Sequence, residues 1–319
     1  MVLPVLIDSA PIPSALRDKL YADFRDAATF SDGVMRLLRA MKGGRAEAQQ
    51  APSRALVDGV TISKLRPALV ILLLDQSGSM AETHVDFAYR SRADVIADIA
   101  NDLIMDLVTR SLRGVDVVDV VDRFFVAALG YGGEAGKVSS AFDTAVGGGP
   151  LYSISELVRG HADGRWVLPR HGADAPMCRA IRHAHRLARD WIAAGHDDGI
   201  PPIVFNITDG AATDGDPRIA ARNLFELTTK YGSVLLFNCC LSYVGGKPVR
   251  YPATADELPD AYARVLFEMS SELTTGMRAA LEEVGVETGV GARGLVYQTD
   301  PRTILQFLTV GTRGATRRM

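Results

Sequence analysis

Cysteine is scarce in this chain: three residues in 319, Cys178, Cys239 and Cys240. The count is odd, no spacing matches a metal-ligand pattern, and two of the three are neighbours in an apolar stretch. All three are therefore expected as buried, reduced core thiols, and the cytoplasm as the compartment. Long hydrophobic runs are missing too. The longest, Ala68 to Leu74, is far too short to span a bilayer. The opening stretch MVLPVLIDSAPIPSALRDKL has no basic region and meets Asp8 early, which makes a poor secretory signal. Neither sign of charge dominates: 35 Lys and Arg stand against 38 Asp and Glu, so neither nucleic acid nor an anionic membrane is expected as a partner. The six histidines show no ligand spacing. His183 and His185, two apart on an expected helix, point different ways and argue against zinc. No GxxxxGK[ST] loop occurs, and QSGSM is not a GxSxG elbow.

What is present is an ordinary globular composition, 47% hydrophobic and 23% charged, with enough chain for a sizeable core. Leu16, Leu20, Phe24, Ala27 and Ala28 recur about once per turn and predict a helix within residues 13–41. The stretch KGGRAEAQQAPSRA then reads as a linker. From Leu65 onward, strand and helix signals alternate. Ala68–Leu74 is a buried central strand, followed by a long helix over Val85–Leu112. DRFFVAALGYGG and KVSSAFDTAV predict a hairpin turning at Gly132 and Gly133. Residues 147–174 read as an irregular excursion. Pro176 opens a helix with Met177, Ile181, Ala184, Ala188 and Trp191 on its core face. PPIVFNITDG and SVLLFNCCL are further buried strands. Asp216 and Pro217 start a helix ending at Tyr231–Gly232. Helical sequence over Pro259–Val284, a strand in RGLVYQ and a helix near Ile304–Leu308 complete the chain. The expected fold is α/β: a doubly wound, mostly parallel sheet with one antiparallel edge strand and helices on both faces. The expected boundaries are a helical extension over 1–42, a linker over 43–64, the α/β domain over 65–312 with a loop insertion at about 147–174, and a tail over 313–319.

In such a sheet, ligands collect at the carboxyl ends of the strands, where strand order reverses. Asp75 and Asp209 each follow directly on an apolar run. Ser77 and Ser79, two apart and extended, can turn toward one point. Carboxylates with neighbouring hydroxyls suit a hard cation with oxygen ligands, magnesium first, with manganese or calcium accepting the same donors. The plainer alternatives are a polar turn closing the first strand, and a turn or cap role for Asp209. Arg179, Arg182, Arg186 and Arg189 form a basic stripe on one helix face, read first as a solvated face and second as a seat for an acidic partner or phosphates.

DQSGS at a strand end and NITDG after a later strand resemble the DxSxS signature and the second-loop aspartate of the von Willebrand factor A (vWA) domain with its metal-ion-dependent adhesion site. The resemblance covers roughly residues 66–310. It implies Asp75, Ser77 and Ser79 as first-loop ligands and Asp209 as a direct or water-mediated one. The family's threonine in a GGTPM-like loop falls at Ala175 in HGADAPMCRAI, which has no ligand atom. Asp174, one residue earlier, is expected to supply the missing oxygen. The function implied is non-enzymatic: a protein interaction module whose cation recruits a carboxylate from a partner. ELPDAYARVLFEMSSEL and ARGLVYQTDPRTILQFL resemble bacterial cytoplasmic members that work beside MoxR-type AAA+ ATPases, or in tellurite-resistance-like or antiphage systems with kinases and phosphatases. The alternatives are a metal-dependent phosphoester hydrolase, or a structural subunit whose metal site is degenerate because of Ala175.

Overall fold

A strand that is apolar at every position is stable only if both of its faces are covered. In the computed structural model, which describes residues 5–6, 22–23, 62–83, 90–113, 119–133, 136–160, 164–241, 248–299 and 301–312, Ala68–Asp75 is such a strand, β1. Its alternation feeds two cores. Ala68, Val70, Leu72 and Leu74 pack into one, and Leu69, Ile71 and Leu73 into the other.

Among the described residues, seven more strands join β1: β2 (Phe124–Tyr131), β3 (Val138–Ser140), β4 (Leu151–Ser153), β5 (Ile203–Thr208), β6 (Leu235–Cys240), β7 (Val249–Arg250) and β8 (Leu295–Tyr297). The order across the sheet is β7-β8-β6-β5-β1-β2-β3, with β4 also on β2. The five strands β2, β1, β5, β6 and β8 are parallel to their neighbours among themselves. The expected antiparallel edge is β3 and β4, which pair with successive parts of β2. A third antiparallel strand, β7, lies on β8 at the far edge.

Helices α1 (Arg92–Ser111), α2 (Ile154–Gly160), α3 (Met177–Trp191), α4 (Pro217–Phe225), α5 (Ala261–Glu268), α6 (Thr275–Glu282) and α7 (Pro301–Gly311) cover both faces. Leu103, Leu157, Met277 and Phe307 carry α1, α2, α6 and α7 into the first core. Ile181, Leu224 and Leu266 carry α3, α4 and α5 into the second. Met177, Ile181, Ala184, Ala188 and Trp191 are buried on α3 as their spacing predicts. The three cysteines are free and buried. No helix among the described residues is long and apolar enough to cross a membrane.

Several element boundaries differ from the sequence reading. The first long helix starts at Arg92, not Val85, because Ser91 caps it with a reciprocal Ser91–Asp94 box, and Ser91 bridges in extended form to Thr83; residues 84–89 lie outside the described set. The stretch 147–174 is not loop throughout. It holds β4 and α2, joined by a second reciprocal contact: Ser153 N–H donates to Glu156 Oε2 at 2.7 Å, and Glu156 N–H to Ser153 Oγ at 3.3 Å. Asp216 and Pro217 do start α4, but it ends at Phe225, and Thr228–Thr229 pairs back on Gly232–Ser233 as a short hairpin. The helical sequence over 259–284 forms two helices, α5 and α6. Ser271 interrupts it by hydrogen bonding Leu236 of β6 through both its backbone and its hydroxyl, and Thr274 caps α6. The expected helical extension over 1–42 lies almost wholly outside the described residues. Val5–Leu6 and Ala22–Asp23, which are described, pair as short parallel strands. The linker, apart from residues 62–64, and the tail at 313–319 also fall outside.

Candidate metal centre

The chain leaves β1 for β2 on one side and returns to β5 on the other. The carboxyl ends of β1 and β5 therefore flank the point where strand order reverses, the crevice in which open α/β sheets bind ligands. Asp75 ends β1, and Asp209 follows β5 by one residue.

Asp75 is buried and held at both oxygens. Oδ1 accepts from Ser77 N–H at 2.9 Å, and Oδ2 from Thr208 Oγ1 at 2.7 Å. Burial pushes its carboxyl up to about 6, against the pull of the Thr208 and Ser77 hydrogen bonds, with nearby Asp209 adding to the rise. After Ser77 the chain does not stay extended as expected but tightens into a turn of 3-10 helix over Gly78–Ala81. That turn sets Ser77 Oγ 3.1 Å from Ser79 Oγ, and Ser79 Oγ donates to Asp209 Oδ1 at 2.9 Å. Ser77, Ser79 and Asp209 are thus one hydrogen-bonded chain across two loops, and Asp75 lies at its root.

Two further loops close on this one. Gly78 N–H donates to the Ala173 carbonyl at 3.0 Å, and Ala173 N–H to the Gly132 carbonyl at 2.9 Å. Gly132 has φ of 100°, and a Cβ there would collide with the Asp174 carbonyl oxygen; a Cβ on Gly172 would collide with the carbonyls of Gly132 and Gly133. Glycine at these positions is what lets the loops approach. Thr213 exchanges backbone and side-chain hydrogen bonds with Ala175, and Asp214 accepts from the N–H groups of Cys178 and Arg179 at the start of α3. Asp214 is a helix cap supplied from a facing loop.

Of the residues expected from sequence, the structure links Asp75, Ser77, Ser79 and Asp209. Ala175 is buried in the second core, so its small side chain is a packing choice. Asp174 is exposed, and its side chain makes no hydrogen bond or ion pair with the described residues. Among the described residues no group of three or more His, Cys, Asp and Glu is placed to hold a metal; the oxygen-rich cluster at the sheet edge has two carboxylates and two hydroxyls. The Arg179–Arg189 stripe is largely satisfied within the chain: Arg179 reaches the Gly136 carbonyl, Arg189 pairs with Asp190, and Arg182 lies 3.9 Å from Asp214. It reads as a solvated face.

Sequence reasoning missed Thr208, the side-chain partner of Asp75, and Arg92, whose Nη1 lies 2.7 Å from Asp209 Oδ2. Both were within reach. Thr208 is the middle residue of the quoted ITD, and the S-R-A-D box puts Arg92 on the first turn of α1.

No protein-family model matches the chain, and no curated protein matches it. Among solved structures it is similar to the manganese-loaded TRAP protein of Plasmodium vivax, with 14% identity and a TM-score of 0.42 over 80% of this chain and 77% of that one. It is also similar to proximal thread matrix protein 1 of the mussel byssus, with 18% identity and a TM-score of 0.34, over 54% of this chain and 38% of that one.

Proposed function

We propose that this protein is a vWA-type, metal-dependent protein interaction module, with Asp75, Ser77, Ser79 and Asp209 holding a divalent cation and Asp174 as a further ligand from the adjoining loop. The observation that carries this reading is the Ser77–Ser79–Asp209 chain rooted on Asp75. All its donors are hard oxygens, as magnesium or manganese requires. The 3.1 Å between the two hydroxyl oxygens equals the separation of neighbouring vertices in an octahedron with bonds of about 2.1 Å, roughly 3 Å. A bound cation would supply an open coordination position for a carboxylate on a partner protein. Asp75 and Thr208 hold the ligand loop against β5, Ser79 aligns Asp209, and the Gly78–Ala173 bond keeps the Asp174 loop beside them.

The wider setting that the resemblance implies, an assembly with an AAA+ ATPase or with kinases and phosphatases, belongs to the same proposal. Calorimetric titration with MgCl2 and MnCl2 tests the site: saturable uptake by the wild type and none by Asp75→Ala is expected. Absence of uptake by the wild type sinks the reading. Affinity capture with and without EDTA tests the interaction, and a partner retained under both conditions and by Asp75→Ala excludes the cation from the contact.

A further inference from the structure

Arg92 opens α1, and the ligand loops do not account for it. Its Nη1 lies 2.7 Å from Asp209 Oδ2, 3.0 Å from Glu82 Oε2 and 3.3 Å from the Ser79 carbonyl oxygen. Exposure separates these contacts. The Arg92 side chain is 13% exposed and that of Asp209 2%, whereas Glu82 is 65% exposed. The pair with Asp209 is withdrawn from water, where opposite charges attract strongly, and the Glu82 contact faces solvent, where they do not. Asp209 Oδ1 is meanwhile taken by Ser79 Oγ. Both oxygens of the second-loop carboxylate are thus engaged, one by the loop bearing the hydroxyls and the other by a fixed positive charge.

We infer that Arg92 is the resident counter-cation of Asp209, aiming that carboxylate at Ser79 while lowering its hold on a divalent cation. This rests on the metal reading above. The guanidinium is a planar, fixed positive charge held against the carboxylate. It also changes what the centre accepts. Asp75, Asp209 and Asp174 of the adjoining loop bring three negative charges and Arg92 one positive, so a divalent cation brings the centre to neutrality, where without Arg92 it would stay negative. A neutral centre accepts an anionic group as its last ligand more readily than a negative one does. Arg92 would then trade affinity for the metal against selectivity for an acidic partner.

The test is calorimetric titration of the full chain with MnCl2, comparing wild type, Arg92→Gln and Arg92→Lys. Arg92→Met, which keeps the apolar stem, is the second neutral variant should Arg92→Gln fail to fold by circular dichroism. Removing the charge is expected to tighten manganese binding by about tenfold, and keeping it as lysine to hold affinity within about threefold of wild type. Manganese uptake by the wild type with equal or weaker binding in both neutral variants overturns the role given to Arg92 and leaves the metal site standing. No uptake by any of the proteins removes the metal site itself, and this inference with it.

Discussion

Asn206 and Asn238 are fully buried amides in otherwise apolar strands, and they face each other in register on β5 and β6. Such groups are tolerated only when their hydrogen bonds are made. Here they form a line: Tyr131 Oη donates to Asn206 Oδ1 at 2.9 Å, Asn206 Nδ2 to Asn238 Oδ1 at 3.0 Å, and Asn238 Nδ2 to Ser270 Oγ at 2.9 Å. Tyr131 is the register partner of Asp75, so the line starts beside the candidate centre and ends behind α5. Tyr131→Phe removes one hydroxyl and strands the Asn206 carbonyl oxygen, which should destabilise the fold by about 1–3 kcal/mol in urea denaturation. A change below about 0.5 kcal/mol would mean that water replaces the phenol. The matching FN pairs in IVFNIT and LLFNCC were visible in the sequence, but their mutual bond was not, because only strand order and register bring them opposite. The same holds at the centre. DQSGS and NITDG were legible as local motifs, and the S-R-A-D box places Arg92 at the head of α1, whereas its pairing with Asp209 across 117 residues exists only in the folded sheet.

At the scale of elements, local signals set the ends and tertiary contacts set the interruptions. The S-R-A-D box fixes where α1 begins, since Ser91 Oγ accepts from Asp94 N–H at 3.1 Å and Asp94 Oδ2 accepts from Ser91 N–H at 3.1 Å. Ser91→Ala should cost about 1 kcal/mol at neutral pH, read as a lower urea midpoint with unchanged slope. The pH dependence has a definite sign. The Ser91 hydroxyl first, and its N–H as well, hold the Asp94 carboxyl below its usual value. The folded chain therefore binds this proton less readily than the unfolded one, and the stabilisation is complete above the unfolded value of about 4 and fades as pH falls through the lower folded value. The gap between wild type and Ser91→Ala should narrow below about pH 4; a gap that widens there contradicts the box. The break between α5 and α6 had no comparable cue. Helical propensity runs through residues 259–284, and the break arises because Ser271 bonds to β6, a contact that exists only in the folded sheet.

For the whole molecule, the apolar run of β1 was enough to place it centrally, and its position between β2 and β5 puts both carboxylates at the reversal of strand order. The loops that carry the candidate ligands do not hang freely from this frame. Gly78 is bonded to Ala173, Ala173 to Gly132, and Ala175 to Thr213, so the edge of the sheet loosens or holds as one body. A cation gripped there should stabilise the entire domain and not one loop, because it binds the folded arrangement and finds no equivalent in the unfolded chain. At a hundredfold excess over its dissociation constant a ligand adds about 2.7 kcal/mol, which for a domain of this size raises the melting temperature by roughly 5–10 °C. Asp209→Asn preserves shape but removes the charge, and should melt at the same temperature with and without MnCl2. A single cooperative transition that rises with manganese in the wild type and stays fixed in Asp209→Asn is the expected pair of results. A manganese shift of equal size in both proteins would put the cation somewhere other than between Ser79 and Asp209.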